Sequence, residues 1–182
     1  MCSSGKRSDP AEFWRLRGIW SSPRRRPKAF MKISSDYKDL LNIFNAAGVR
    51  YLIVGGYAVM IHTEPRYTKD LDLWIDRSTA NAEALFKALA RFGAPLKGLR
   101  PADFTEPGVF YQIGMEPVRI DIMTSVSGLE FASAWEHKLI VDFDGESAGV
   151  LSQEDLLLSK KAADRLRDRK HIRSLQKARN LK

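Results

Sequence analysis

The sequence predicts an α/β (α+β) fold, in which helices flank a small mixed β-sheet and a helical portion ends the chain. The first observation behind this prediction is that helical and strand patterns alternate from residue 34 onwards, which is typical of a sheet covered by helices. The second is that the patterns after about residue 152 are helical, so the C-terminal portion is expected to be helical.

Strands are predicted where short runs rich in apolar and β-branched residues are bounded by glycine, proline or acidic residues. These runs occupy residues 50–54, 71–76, 110–113, 118–123, 139–143 and 149–151. The runs 110–113 and 118–123 flank the sequence Gly114-Met115-Glu116-Pro117, which is typical of a turn and indicates that the two strands pair.

Helices are predicted where apolar residues recur at three- and four-residue steps. Such stretches occupy residues 34–47, 57–62, 79–92, 153–163 and 169–178, with a further helix around Phe131 and Trp135. Ser35 or Asp36 is expected to cap the first helix and Gly48 to end it, while Gly93 ends the helix over 79–92.

The composition of the 182 residues fits one globular domain, with 44% hydrophobic residues. No apolar run reaches the roughly 18 residues that a membrane span needs. A single cysteine, Cys2, excludes a disulfide framework and a cysteine-based zinc site. A cytoplasmic, reducing location is therefore expected.

The formal charge of +8 is unevenly distributed along the chain. Residues 1–30 hold 8 basic and 2 acidic side chains and residues 160–182 hold 10 and 2, so the body between them is acidic. Residues 1–30 are predicted to be a disordered basic extension. Residues 31–182 are predicted to form a single domain with basic helices from about residue 152. The basic side chains of these helices either bind RNA phosphates or form a solvent-exposed face.

Paired acids mark the predicted strand that begins near residue 70. Because side chains alternate along a strand, Asp70, Asp72 and Trp74 point to one face and Leu71 and Leu73 to the other. Two carboxylates on one face repel each other, and a hard cation such as Mg²⁺ removes that repulsion. The alternative is a solvent-facing edge strand with ordinary acids.

A third acid, Asp121, lies in the middle of the apolar strand 118–123. A carboxylate in such a run is uncommon unless it is paired or ligates something. If this strand lies beside the first, three acids converge and can hold metal ions for a displacement at phosphorus. The alternative is an ion pair between Asp121 and a base such as Arg119, which alternation places on the same face.

The pair Gly55-Gly56 lies between a strand and a short helix, where phosphates approach backbone N–H groups. The order of strand, glycine pair, short helix, paired acids and later third acid resembles the nucleotidyltransferase superfamily of the DNA polymerase β type. The matching positions here are Gly55, Gly56, Asp70, Asp72 and Asp121. The resemblance covers about residues 34–176 and implies the nucleotidyltransferase fold.

A second block of sequence resembles the subgroup that contains the AbiEii and MenT toxins, as does the form of residues 66–72. That subgroup carries a Leu-x-x-x-Lys helix followed by Arg-x-Lys-Asp. Lys160, Arg165 and Asp168 take these positions, with Arg167 in place of the lysine. His171 stands where an acid is usual, so no role is expected there.

The resemblance implies transfer of an NMP from an NTP to a hydroxyl acceptor. Asp70, Asp72 and Asp121 would hold Mg²⁺, or Mn²⁺, and Asp121 would help to deprotonate the acceptor. Lys160 would contact phosphate as a catalytic residue. The remaining predicted nucleotide-binding residues are Gly55, Gly56, Arg66, Thr68, Lys69, Arg165 and Asp168.

The subgroup favours an RNA acceptor, such as a tRNA, and implies the toxin role in a toxin–antitoxin pair, with an antitoxin protein as partner. Two alternatives stay open. One is a transferase that acts on a small molecule. The other is a catalytically silent nucleotide- or RNA-binding module with an antitoxin or regulatory role.

Overall fold

The computed structural model describes residues 30–64, 68–115, 118–166 and 168–180. The strands are β1 (Phe30–Met31), β2 (Tyr51–Ile53), β3 (Asp70–Ile75), β4 (Phe110–Met115), β5 (Val118–Met123), β6 (Leu139–Phe143) and β7 (Glu146–Val150). The helices are α1 (Ser35–Ala46), α2 (Gly55–His62), α3 (Thr79–Phe92), α4 (Phe131–Glu136), α5 (Gln153–Ala163) and α6 (Asp168–Asn180). The segment predicted to be a disordered extension lies, apart from Phe30, outside the described residues.

The seven strands form one mixed sheet in the order β1-β6-β7-β2-β3-β5-β4. Strand β3 lies inside this sheet, antiparallel to β2 and parallel to β5. The predicted fold class, a mixed sheet with flanking helices and a helical C-terminal portion, is confirmed. The alternative of a solvent-facing edge strand for the paired acids is wrong, because β3 is hydrogen-bonded on both sides.

The core forms where the helices pack on the sheet. The stripe predicted for α1 is buried through Tyr37, Leu40, Leu41 and Phe44. Ser34 caps this helix, not the predicted Ser35 or Asp36, because its hydroxyl accepts a hydrogen bond from the Tyr37 N–H (3.3 Å). Helix α3 begins and ends where the sequence pattern predicts.

Three short elements of the fold also differ from the prediction. Strand β1 and a 3₁₀ helix over Pro101–Thr105 were not expected. Strand β7 begins at Glu146, three residues before the predicted start, and pairs with β6 along its length. Each of these elements is short, so its own sequence carries little periodicity, and its pairing or packing partner decides its structure.

Helices α5 and α6 of the C-terminal portion pack against each other and against α2. Ser152 caps α5 by accepting from the Asp155 N–H (3.1 Å), and Asp164 ends it in the left-handed conformation (φ 44°). The Gln153 amide donates to the carbonyl of Leu175 (2.9 Å) and joins the two helices. Among the described residues, no helix is both long and apolar enough to cross a membrane.

Candidate active site

The three predicted acids meet on neighbouring strands. Strands β3 and β5 run parallel in a register that sets Asp72 opposite Asp121, and Asp70 lies two residues earlier on the same face. Each residue offers a carboxylate oxygen, and these oxygens all lie within 4.8 Å of one another. Asp121 is buried, whereas Asp70 and Asp72 are half-buried. The sheet therefore brings together residues that lie about fifty positions apart in the sequence.

The glycine pair lies directly beside Asp72. Gly55 has a left-handed backbone (φ 57°), and an added Cβ there would overlap the Asp72 carboxylate. The Gly56 N–H donates to Asp72 Oδ2 (3.3 Å), and an added Cβ at Gly56 would overlap the Thr68 hydroxyl. The lack of side chains at both positions is thus what lets the start of α2 approach the acids.

Arg119 lies among the carboxylates. Its Nη2 lies 2.5 Å from Asp70 Oδ2 and 3.1 Å from Asp121 Oδ2. The ion pair considered for Asp121 from the sequence is therefore present, and Asp70 shares it. The sequence put both residues on one face, but only the neighbouring strand shows that Arg119 also reaches Asp70.

In the absence of a cation, the surroundings of Asp72 and Asp121 raise the pKa of both carboxyl groups. Burial, helped by the charge of Asp70, raises the pKa of Asp72 to about 6. Burial also raises the pKa of Asp121, although Arg119 opposes that shift. A cation that binds between these side chains would stabilise the ionised form of both carboxylates.

The raised pKa of Asp72 predicts how stability depends on pH. The folded state holds this proton more tightly than the unfolded chain does, so ionisation favours unfolding. The metal-free protein should lose about 2 kcal/mol from this group as the pH rises from about 4 to about 6. Urea unfolding in EDTA across this range should show the loss, and Asp72→Asn should show a flatter profile. Identical slopes for both proteins would contradict the assignment to Asp72.

A cleft of about 580 Å³ opens beside the acids. Its walls are the turn at the start of α2, the start of β3, the segment 123–127 and the facing sides of α5 and α6. The predicted site residues that line it are Gly55, Gly56, Thr68, Lys69, Asp70, Asp72, Lys160, Arg165 and Asp168. Asp121 is not part of the lining, and Arg66 lies outside the described residues.

Lys160 is buried against α6. Its Nζ donates to Asp168 Oδ1 (2.9 Å), and His171 Nδ1 lies 3.5 Å from the same oxygen. Lys160 does not lie on the solvated face that the sequence left open for the basic helices, because its side chain is only 10% exposed. His171, for which no role was expected, thus joins the same cluster.

The Lys160–Asp168 pair should contribute strongly to stability. Replacing Lys160 by methionine leaves the buried Asp168 carboxylate without its lysine partner, which should cost about 3 kcal/mol. Urea unfolding of Lys160→Met at pH 7 measures this loss. Lys161→Met is the matched control, because Lys161 is the exposed neighbour on the same helix. Equal stability of the two variants would contradict the prediction.

Two residues support the start of β3. Thr68 donates its hydroxyl to Asp70 Oδ1 (3.1 Å) and so orients that carboxylate. The Tyr37 hydroxyl lies 3.2 Å from the carbonyl oxygen of Lys69 and 3.1 Å from that of Arg119. Tyr37 was missed by the sequence reasoning because its place in an apolar helical stripe gives no sign of its hydroxyl contacts. Tyr37 thus holds together the starts of β3 and β5, the two strands that carry the acids.

The donor set fits a divalent cation. Three carboxylates supply the hard oxygen ligands that Mg²⁺ and Mn²⁺ take in proteins. One of these oxygens, Asp121 Oδ1, is buried without a hydrogen-bond partner in the described part of the chain. An unpaired buried carboxylate oxygen is costly, and a bound cation would relieve that cost.

Comparisons with known proteins agree with this fold and site. Residues 28–181 match the model of the family "Nucleotidyltransferase of unknown function (DUF6036)", so the chain belongs to that family and to the nucleotidyltransferase class of enzymes. The structure is similar to the lincomycin-bound crystal structure of the lincosamide antibiotic adenylyltransferase LnuA. That match has a TM-score of 0.53 at 16% identity and covers 81% of this chain and 99% of the other.

A second similar structure is that of a putative nucleotidyltransferase from Thermotoga maritima. It gives a TM-score of 0.51 at 17% identity, covering 80% of this chain and 91% of the other. At these identities the two structures show the fold alone. No curated protein matches the sequence. The predicted superfamily is confirmed, whereas the resemblance to the AbiEii and MenT subgroup stays a prediction.

Proposed function

We propose that the protein transfers an NMP from an NTP to a hydroxyl acceptor in a reaction that requires Mg²⁺ or Mn²⁺. The observation that carries this proposal is the convergence of three carboxylates within 4.8 Å beside the glycine turn at one end of the cleft. A bound divalent cation would supply charge neutralisation for the triphosphate and for the attacking oxygen.

The residues of the chain have separable tasks in this reaction. Asp70, Asp72 and Asp121 hold the cation, and the N–H groups at the start of α2 approach the triphosphate. The Asp121 carboxylate accepts the proton of the acceptor hydroxyl. The hydroxyl oxygen forms the new bond to the α-phosphorus, and the bond from that phosphorus to pyrophosphate breaks. Thr68, Lys69 and Arg165 line the cleft, and we assign them contacts with the nucleotide.

An RNA acceptor is our first choice for the hydroxyl donor. Helix α6 starts at the cleft, and its exposed residues Arg169, Arg173 and Lys177 repeat at four-residue steps along one side. Cations spaced in this way suit a phosphate backbone. The resemblance to the AbiEii and MenT subgroup adds the proposal that the enzyme modifies tRNA as the toxin of a toxin–antitoxin pair, held in check by an antitoxin protein.

A small-molecule acceptor is the second candidate. A second cavity of about 590 Å³ shares Ser125 and Val126 with the cleft, so an acceptor bound there would lie next to the nucleotide site. This cavity is lined by the aromatic residues Trp74 and Phe131 and by the acids Asp76 and Glu130. The similar structure of LnuA, a lincosamide adenylyltransferase, supports the same choice.

A catalytically silent module is the alternative outside enzyme chemistry. The observation in its favour is Arg119, which compensates the charge of two of the acids without any metal. Such a protein would bind NTP or RNA and transfer nothing.

One assay separates these functions. Each α-³²P-labelled NTP is incubated with the protein and total RNA, or with a library of hydroxyl-bearing small molecules, with and without Mg²⁺. Label in RNA that depends on Mg²⁺ supports the first choice, and label only in a small molecule supports the second. Tight NTP binding without transfer to any acceptor favours the silent module. Incorporation that is unchanged in Asp70→Ala/Asp72→Ala protein would exclude the assigned site.

We further propose that residues 31–182 form a single catalytic domain, that it works in the cytoplasm, and that residues 1–30 are dispensable for transfer. The family match over residues 28–181 supports this division of the chain. A protein that begins at Met31 should therefore transfer label as fast as the full chain in the same assay.

A further inference from the structure

Arg119 holds the place among the acids where a cation is needed. A single nitrogen, Nη2, contacts both Asp70 Oδ2 (2.5 Å) and Asp121 Oδ2 (3.1 Å). These two residues come from adjacent strands, and Arg119 sits opposite Asp70 in the register of β3 and β5. The guanidinium therefore supplies the positive charge that balances the two carboxylates in the metal-free protein.

The ion pairs of Arg119 are incomplete. Because one nitrogen makes both contacts, neither carboxylate receives the two parallel bonds that make an arginine pair strong. The Nε of Arg119 and Oδ1 of Asp121 are buried and have no hydrogen-bond partner among the described residues. The side chain is 29% exposed, so it has a path to solvent. This arrangement holds the arginine in place but leaves it displaceable.

We propose that Arg119 is an internal counter-ion that competes with the divalent cation for Asp70 and Asp121, and so sets the affinity of the site for metal. A guanidinium and a divalent cation cannot share the same carboxylate oxygens, because their charges repel at such short distances. In this proposal a metal that takes Asp70 Oδ2 and Asp121 Oδ2 displaces Arg119 from both contacts and moves its side chain away. This inference rests on the proposed metal dependence and adds a residue that regulates it.

Direct measurement of Mn²⁺ binding tests this role. Free Mn²⁺ is followed by electron paramagnetic resonance during titration of metal-free full-length protein at pH 8, where protons no longer compete at Asp72. Arg119→Gln should bind Mn²⁺ about tenfold more tightly than the wild type, since the competing charge and its two contacts are gone. Unchanged or weaker binding by Arg119→Gln would overturn the proposal.

Arg50→Gln is the matched control. Arg50 forms an ion pair with Asp76 (2.6 Å), which directly follows the last residue of β3. The variant therefore removes one positive charge, as Arg119→Gln does, but far from the cluster of Asp70, Asp72 and Asp121. Its affinity for Mn²⁺ should equal that of the wild type. An equal gain in both variants would overturn the role of Arg119, because net charge alone would explain the effect.

The outcomes distinguish this inference from the function on which it rests. If neither the wild type nor Arg119→Gln binds Mn²⁺, the metal-dependent function fails and the inference fails with it. If both bind with equal affinity, only the role of Arg119 fails. A crystal structure of the wild type with Mn²⁺ provides a test without any variant. The Arg119 guanidinium should have left Asp70 and Asp121, and retention of both contacts beside a bound Mn²⁺ would overturn the proposal.

Discussion

Replacing Asp70 and Asp72 together by asparagine should lower NMP transfer by at least about a thousandfold while the protein stays folded. Asparagine keeps the size of aspartate but carries no charge, so the site loses two of its three anionic ligands. Stability should change little, because the loss of the repulsion between the two acids offsets the loss of the ion pair between Asp70 and Arg119. Label incorporation in the NTP assay and urea unfolding measure the two effects.

Asp39→Asn is the control for this double variant. Asp39 lies on the exposed side of α1, so its replacement removes a carboxylate without touching the acids. Transfer by this protein should match the wild type. Retention of most of the activity by the double variant, in protein that unfolds cooperatively, would place the reaction centre elsewhere.

Gly55→Ala should slow transfer strongly and destabilise the protein. The new methyl group would overlap the Asp72 carboxylate and force it out of the acid cluster. The left-handed backbone at Gly55 (φ 57°) adds a conformational cost of about 1 kcal/mol. We expect transfer to fall by at least about a hundredfold, because small displacements of ligands are costly in a preorganised site.

Gly48→Ala separates the two effects of that substitution. Gly48 has the same left-handed conformation (φ 69°), but an added Cβ there meets no other atom within 4 Å. This variant should lose about 1 kcal/mol of stability and keep its transfer rate. If Gly55→Ala behaves in the same way as Gly48→Ala, the close contact between Gly55 and Asp72 has no functional importance.

The sequence predicted the parts of the fold that have strong local signals. The stripe along α1 and the amphipathic α3 were identified because several apolar residues repeat at the helical period. Strand β1 has two residues and pairs with β6, so no local pattern could reveal it. The start of α2 was placed two residues late, because glycine is a poor helix former and gives no helical signal in the sequence.

The sequence predicted the position of the acids in the candidate site better than it predicted the surroundings of Trp74. Alternation along β3 correctly placed Asp70 and Asp72 on one face, and the meeting with Asp121 required only that β5 lie alongside. The same alternation put Trp74 on the face of the acids, but the structure buries it against Phe131, where its Nε1 donates to the Thr124 carbonyl (3.3 Å). A periodic pattern tells which way a side chain points, and it does not tell what covers that face.

The sequence by itself predicted the superfamily, the order of the longer helices and strands and the position of Asp70 and Asp72 on one face, because these follow from the spacing of a motif and from local periodicity. The tertiary structure alone decided which charges meet across separate elements. Arg119 reaches Asp70, and Lys160 is paired with Asp168, only because separate strands or helices pack side by side. The energy between charges depends on their distance and burial in space, and separation along the chain carries no information about either.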